Sequence, residues 1–249
     1  MLFQTTPAHE ELRAKIRAFA EEEIKPLAFL LDQNNEFPDE AVQKMGQLGW
    51  LGLPFPKEYG GAGLDILSYA IAVEELRRIG VESLLRIGSC GALQSGIAAG
   101  ELLLVQAAVR DEGTSRAYVP EGYPAVSDAA LLALCARSAR RRGLKAHIGL
   151  VRSHDSFYID GQEDVNRLWS GRGVLGSDME TAALLAVARL RGLRAMSILN
   201  TVVPWGGDTL GGIGAYSGGA EAAARGEAAS IQVALDACAA IERGEDWLA

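Results

Sequence analysis

The segment Arg86-Ile-Gly88-Ser89-Cys90-Gly91 has the residue types of an anion cradle. An arginine fork matches two oxygens of a phosphate at once. Glycines where a strand ends let backbone N–H groups approach an anion closely. Alone, Arg86 reads as a structural ion-pair residue, and Cys90 as a small buried hydrophobe rather than a nucleophile. A second cluster, Asp178-Met179-Glu180, opens an apolar helix. A carboxylate there accepts from two vicinal hydroxyls or complements the helix N-terminus; both readings stand for Asp178 and for Glu180. Other combinations carry no chemistry. Ser153-His154-Asp155 are consecutive, and neighbours in sequence do not form a catalytic triad. His147 reads as a satisfied strand histidine. Gly60-Gly61-Ala62-Gly63 lacks the spacing and the lysine of a phosphate loop, and reads as a turn that needs positive φ.

These residues need elements to position them. Residues 7–31 read as an amphipathic helix with Thr6 as cap and Pro7 in its first turn. Leu12, Ile16, Phe19 and Ala20 share its apolar face, and Pro26 is expected to kink or interrupt it. Pro38 starts a second helix that ends near Gly46–Gly49, Trp50–Gly63 is irregular loop, and a third helix covers about residues 65–79. The pattern then changes. Strands are expected at Ser83–Ile87, ending in Gly88, and at Leu102–Val109, Ala146–Arg152 and Ala195–Val203. Helices are expected at Ala129–Arg142, Ser177–Arg191 and 220–242, with a glycine-rich loop at 204–219. Strands alternating with helices indicate an α/β layer.

Composition narrows the partners. A net charge of −8 leaves no basic surplus for general nucleic-acid binding. The one dense basic run, Arg137 to Arg142, reads as the solvated C-terminal end of a helix. Cys90, Cys135 and Cys238 show no metal spacing and suggest a reducing compartment. No apolar run of membrane-spanning length is present, so no membrane is expected and the cytoplasm is the expected location.

Two resemblances emerge, meeting in the helix Ser68–Arg78. Residues 1–78 resemble the N-terminal helical domain of acyl-CoA dehydrogenases, through AFAEEEIKPLA and the run from FPDEAVQKMG through GLPFPKEYGGAG to IAVEEL. Nothing matches the later regions that supply that family's flavin site and catalytic glutamate. From about residue 80 to 249 the chain resembles the nucleoside phosphorylase superfamily, nearest to uridine phosphorylases. Four motifs carry this in order: LLRIGSCGALQ at 84–94, DEGTSRAYVPEGYPA at 111–125, HIGLVRSHDSFY at 147–158 and GVLGSDMETAALLAVARLRGLRA at 173–195. IAVEEL, Ile71–Leu76, fits either family, so two segments, 1–79 and 80–249, join without a linker.

The second resemblance implies an α/β fold: a truncated phosphorylase-like mixed sheet flanked by helices, behind an N-terminal helical segment. It implies phosphorolysis of a ribonucleoside, uridine-like first and purine second. Phosphate falls to Arg86, Gly88, Ser89 and Cys90, and ribose to Met179 and Glu180, with Arg86 and Glu180 as catalytic residues. Base falls to Phe157, which also suits plain core packing, and to Gln162, whose amide donates and accepts along a pyrimidine edge. No metal or organic cofactor is implied, inorganic phosphate is the co-substrate, and a homo-oligomer is the default. The sequence departs from the family in three places. Asp164 stands where an arginine is usual, no leaving-group acid follows Val203, and the early arginine-bearing loop and its strands are absent. That loss leaves a sheet edge unpaired, which the apolar stripes of helices in 7–79 are expected to cover. The alternative reading is a chimeric fusion that folds and at most binds nucleoside or phosphate weakly.

Overall fold

The computed structural model describes residues 5–27, 39–50, 53, 62–64, 68, 71–72, 74–75, 82–156, 159–207, 214 and 221–245. The chain forms two compact units, Met1–Val81 and Glu82–Ala249.

The first unit is helical. Helix α1, Pro7–Phe19, starts as expected: Thr6 Oγ1 accepts from the His9 amide at 3.3 Å, and the His9 ring returns to the Thr6 backbone. Pro26 does not end the helix; instead a π-helical turn, Ala20–Ile24, precedes it. Proline supplies no N–H and crowds the carbonyl four residues back, and the wider turn relieves both. Helix α2 spans Asp39–Gln47. Ile16, Leu53 and Ala72 form the core of this unit, and Phe19 meets Trp50 edge to face with ring centroids 5.2 Å apart. Glu75 is buried because Arg13 and Arg17 reach it at 2.8–3.1 Å. Most of the Trp50–Gly63 loop lies outside the described residues.

The second unit runs β1 (Ser83–Ala92), β2 (Leu102–Asp111), α3 (Gly113–Tyr118), β3 (Ala125–Val126), α4 (Ala129–Arg141), β4 (Ala146–His154), α5 (Gln162–Ser170), β5 (Gly176–Asp178), α6 (Thr181–Leu190), β6 (Arg194–Val203) and α7 (Glu221–Glu242). The mixed sheet has the order β3-β2-β4-β5-β1-β6, and an antiparallel β2–β6 pairing brings its ends back together. Strand β1 runs parallel to β6 along its length. Among the described residues its other edge is paired only at Gly91 and Ala92, antiparallel to β5.

The sheet buries both faces. Leu103, Val105, Val151 and Leu199 pack against Ala182 and Leu185 of α6. Leu102, Leu104, Met196 and Ile198 pack against α4 and α7. Each such fully buried aliphatic side chain contributes about 1.5–3 kcal/mol. Helix α7 comes close because Gly226 has no side chain: a Cβ there would stand 2.1 Å from Asn200 Oδ1. The arginine-rich end of α4 is a structural tie. Arg142 donates to Asp236 of α7 at 2.7 and 2.8 Å, and Arg137 to Glu245 at 2.5 Å. Among the described residues no helix is long and apolar enough to cross a membrane, and no cluster of three or more His, Cys, Asp or Glu could hold a metal.

Candidate functional site

Strand β1 does not stop at Gly88, as the glycines suggest, but continues to Ala92 with a bulge at Cys90/Gly91. Gly88 therefore works inside a strand. A Cβ there would stand 2.3 Å from Arg86 Nη1 and 2.6 Å from Cζ, so the bare backbone is the floor on which the Arg86 guanidinium lies.

That guanidinium joins two carboxylates ninety-odd residues away in sequence. Arg86 Nη2 donates to Glu180 Oε2, and Nη1 lies 3.1 Å from Asp178 Oδ2. The carboxylates differ. Asp178 is buried and Glu180 is exposed. The expected helix start at Ser177 is instead the short strand β5, because Ser177 pairs with both Gly91 and Arg152. Helix α6 then begins at Thr181, whose amide and hydroxyl both donate to Asp178 Oδ2, at 3.1 and 2.5 Å. Ser153 of β4 donates to Asp178 Oδ1 at 2.6 Å and accepts from the Ala182 amide at 2.9 Å. Of the two roles open to Asp178, the structure realises the helix-start one and adds a tie to β4.

Cys90 lies on the same face of β1 as Arg86, with its sulfur 3.8 Å from Thr201 Oγ1. Burial pushes its thiol up to about 12, so it is no thiolate at neutral pH. Strand alternation sets Ser89 on the opposite face, apart from the Arg86 guanidinium. Met179 is exposed between the two acids.

Phe157 lies outside the described residues. Gln162 opens α5, a helix beyond those expected; its signal in the sequence is Gly161, which takes positive φ here, followed by Glu163 and Asp164 in the first turn. Gln162 Nε2 donates to Asn166 at 2.9 Å, while its buried Oε1 has no partner among the described residues. No described contact links Gln162 with the Arg86 cluster. Asp164 pairs with Arg167 at 3.4 Å on the exposed side of α5.

Ser153, His154 and Asp155 send their side chains to different partners. Ser153 serves Asp178, the His154 Nδ1 meets the Ser156 carbonyl at 2.8 Å, and Asp155 accepts from the Gly113 amide at 2.8 Å. Burial, and then the charge of Arg152, hold His154 below its ordinary pKa. His147 sits toward the other end of β4, with Nε2 2.8 Å from Glu101 Oε2. Arg152, unnoticed in the sequence, is buried against Asp111 at 2.7 Å with its guanidinium carbon 6.0 Å from the Trp169 ring centre.

Comparison with known proteins finds two families, over ranges that overlap at residues 60–107. The phosphorylase superfamily model matches residues 60–231, and the acyl-CoA dehydrogenase, N-terminal domain model matches residues 6–107. A guanosine phosphorylase from Halorubrum lacusprofundi is 41% identical over 136 residues, which are 55% of this chain and 56% of that protein. The short-chain specific acyl-CoA dehydrogenase of Clostridium acetobutylicum is 54% identical over 79 residues, 32% of this chain and 21% of that protein. The chain thus spans little more than half of the one relative and a fifth of the other. The crystal structure of uridine phosphorylase from Vibrio fischeri aligns with a TM-score of 0.60 at 43% identity, covering 69% of this chain and 70% of that one.

Proposed function

Because the chain belongs to the phosphorylase superfamily, we propose that it cleaves the N-glycosidic bond of a ribonucleoside with inorganic phosphate. A phosphate oxygen bonds to the anomeric carbon, the bond to the base breaks, and its electron pair leaves on the base, which takes up a proton. The products are free base and ribose 1-phosphate. Positive charge develops on the sugar during this exchange, as in other glycosyl transfers.

One observation carries the reading: Arg86 and Glu180, from separate strands and helices, meet directly beside the bare backbone of Gly88. In this reading Arg86 holds phosphate, with Gly88, Ser89 and Cys90 contributing backbone. Glu180 accepts from the ribose hydroxyls while Met179 packs on the sugar, and Phe157 and Gln162 meet the base. Similarity to a uridine and a guanosine phosphorylase supports an oxo-base nucleoside, uridine first and a purine nucleoside second. No metal or organic cofactor takes part, and the protein self-associates.

The test is incubation of the folded chain with uridine and with inosine, each with and without phosphate, followed by chromatography of free base. Phosphate-dependent release that Arg86→Ala abolishes is the expected result. One observation favours the rival reading of binding without turnover: both carboxylates already face Arg86, giving the cluster a net negative charge. Thermal stabilisation by nucleoside without base release is its signature.

A further inference from the structure

We propose that Asp178 is the positioning residue of Arg86, keeping the guanidinium in place while phosphate displaces Glu180 from it. This rests on the phosphorolytic reading above. The two carboxylates on Arg86 are not equivalent. The Asp178 side chain is 1% exposed, and the Glu180 side chain is 60% exposed. Asp178 is held by Ser153 at 2.6 Å on one oxygen and by the Thr181 amide and hydroxyl on the other, the oxygen that also faces Arg86. These donors come from β4 and α6, so displacing Asp178 would strand them together with a buried charge. An exposed carboxylate returns to water at little cost. An arriving phosphate therefore dislodges Glu180, which becomes available to sugar hydroxyls. Asp178 stays, and its charge 3.1 Å from Nη1, an ion-pair contact without a hydrogen bond, holds the fork above Gly88. Loss of that anchor lets Arg86 follow Glu180 and leave the phosphate position.

The test compares steady-state constants for the full chain, Asp178→Asn, Asp178→Glu and Ser153→Ala. Base release by the unmodified chain must first depend on phosphate; its absence from folded protein would overturn the phosphorolytic reading and this role with it. Given that activity, Asp178→Asn is expected to raise KM for phosphate by about tenfold or more, a usual effect of a misplaced group. Affinity for nucleoside, measured without phosphate, stays near the unmodified value. Asp178→Glu keeps the charge but shifts it, so it raises the same constant and serves if the asparagine variant does not fold. Ser153→Ala removes one holder of Asp178 but keeps its charge facing Arg86, so its phosphate KM rises less than that of Asp178→Asn. An unchanged or lower phosphate KM in the Asp178 variants, or an equal rise in Ser153→Ala, would overturn the positioning role.

Discussion

Replacing Gly88 by alanine puts a methyl carbon 2.3 Å from Arg86 Nη1, 2.6 Å from Cζ and 2.7 Å from Nη2. Ordinary contact between such atoms is about 3.5–4.0 Å, so the guanidinium must retreat by more than about 1 Å. The backbone itself is unstrained, since Gly88 does not have positive φ. The cost lies in the retreat, which draws Nη1 away from Asp178, now at 3.1 Å. Removing one partner of a buried ion pair costs about 3–5 kcal/mol. Asp178 keeps its donors from Ser153 and Thr181, and Arg86 is moved rather than removed, so about 1–3 kcal/mol is expected for Gly88→Ala. For a unit of this size that lowers Tm by roughly 2–12 °C. A double-mutant cycle isolates the cause. In an Arg86→Ala background the added methyl meets no guanidinium, and its cost should fall to a few tenths of a kcal/mol, leaving a coupling of about 1–2 kcal/mol. Urea denaturation of the four proteins measures it. An equal cost in both backgrounds would refute the account of Gly88 as the floor of the arginine.

Arg86→Gln should weaken phosphate binding yet tighten nucleoside binding in the absence of phosphate, by up to about fivefold, because Glu180 is released from an exposed pair; calorimetry with uridine and with inosine decides this. Among the three thiols only Cys238 should react rapidly with a disulfide reagent at pH 8, since burial pushes Cys90 and Cys135 up to about 12 while Cys238 is exposed; a second fast thiol in native protein would contradict the burial. His154 has a folded pKa below its ordinary 6.5, so the unfolded chain binds the extra proton first. The stability it contributes is present above pH 6.5 and is lost as pH falls through the folded value. His154→Gln should flatten that part of the slope in urea midpoints taken from pH 7.5 downward, and an unaltered slope would place the dependence elsewhere.

The parts of the fold that were legible in the sequence were those set by local signals. Thr6 and Pro7 announced α1, and the apolar runs of β2 and β6 announced strands because both faces of the sheet are covered. Strand β5 was hidden, since Gly176–Asp178 is three residues long and its pairing partners lie elsewhere in the chain. Helix α5 is nine residues long and its apolar stripe is only Val165, Leu168 and Trp169, none of them fully buried, so the periodicity is too short to stand out. In the candidate site Arg86 and Glu180 were legible as types, and the structure unites them. The role of Asp178 was not, because a carboxylate three residues before a threonine looks the same whether it caps a helix, holds an arginine or does both. Ser89 shows the opposite limit: proximity in sequence to Arg86 could not reveal that alternation along an unbroken strand separates them.

The π-helical turn at Ala20–Ile24 has an angular consequence. Ile16, Ala20 and Ile24 are all buried, eight residue steps from first to last. At about 100° per residue, eight steps of α-helix would carry Ile24 roughly 80° around the axis from Ile16. Four steps of the wider π turn, at roughly 80° each, remove that lag and bring the total to about two full revolutions. Ile24 thus falls back into phase with Ile16, and one straight apolar line runs down a helix whose sequence period would otherwise have spiralled away from its core.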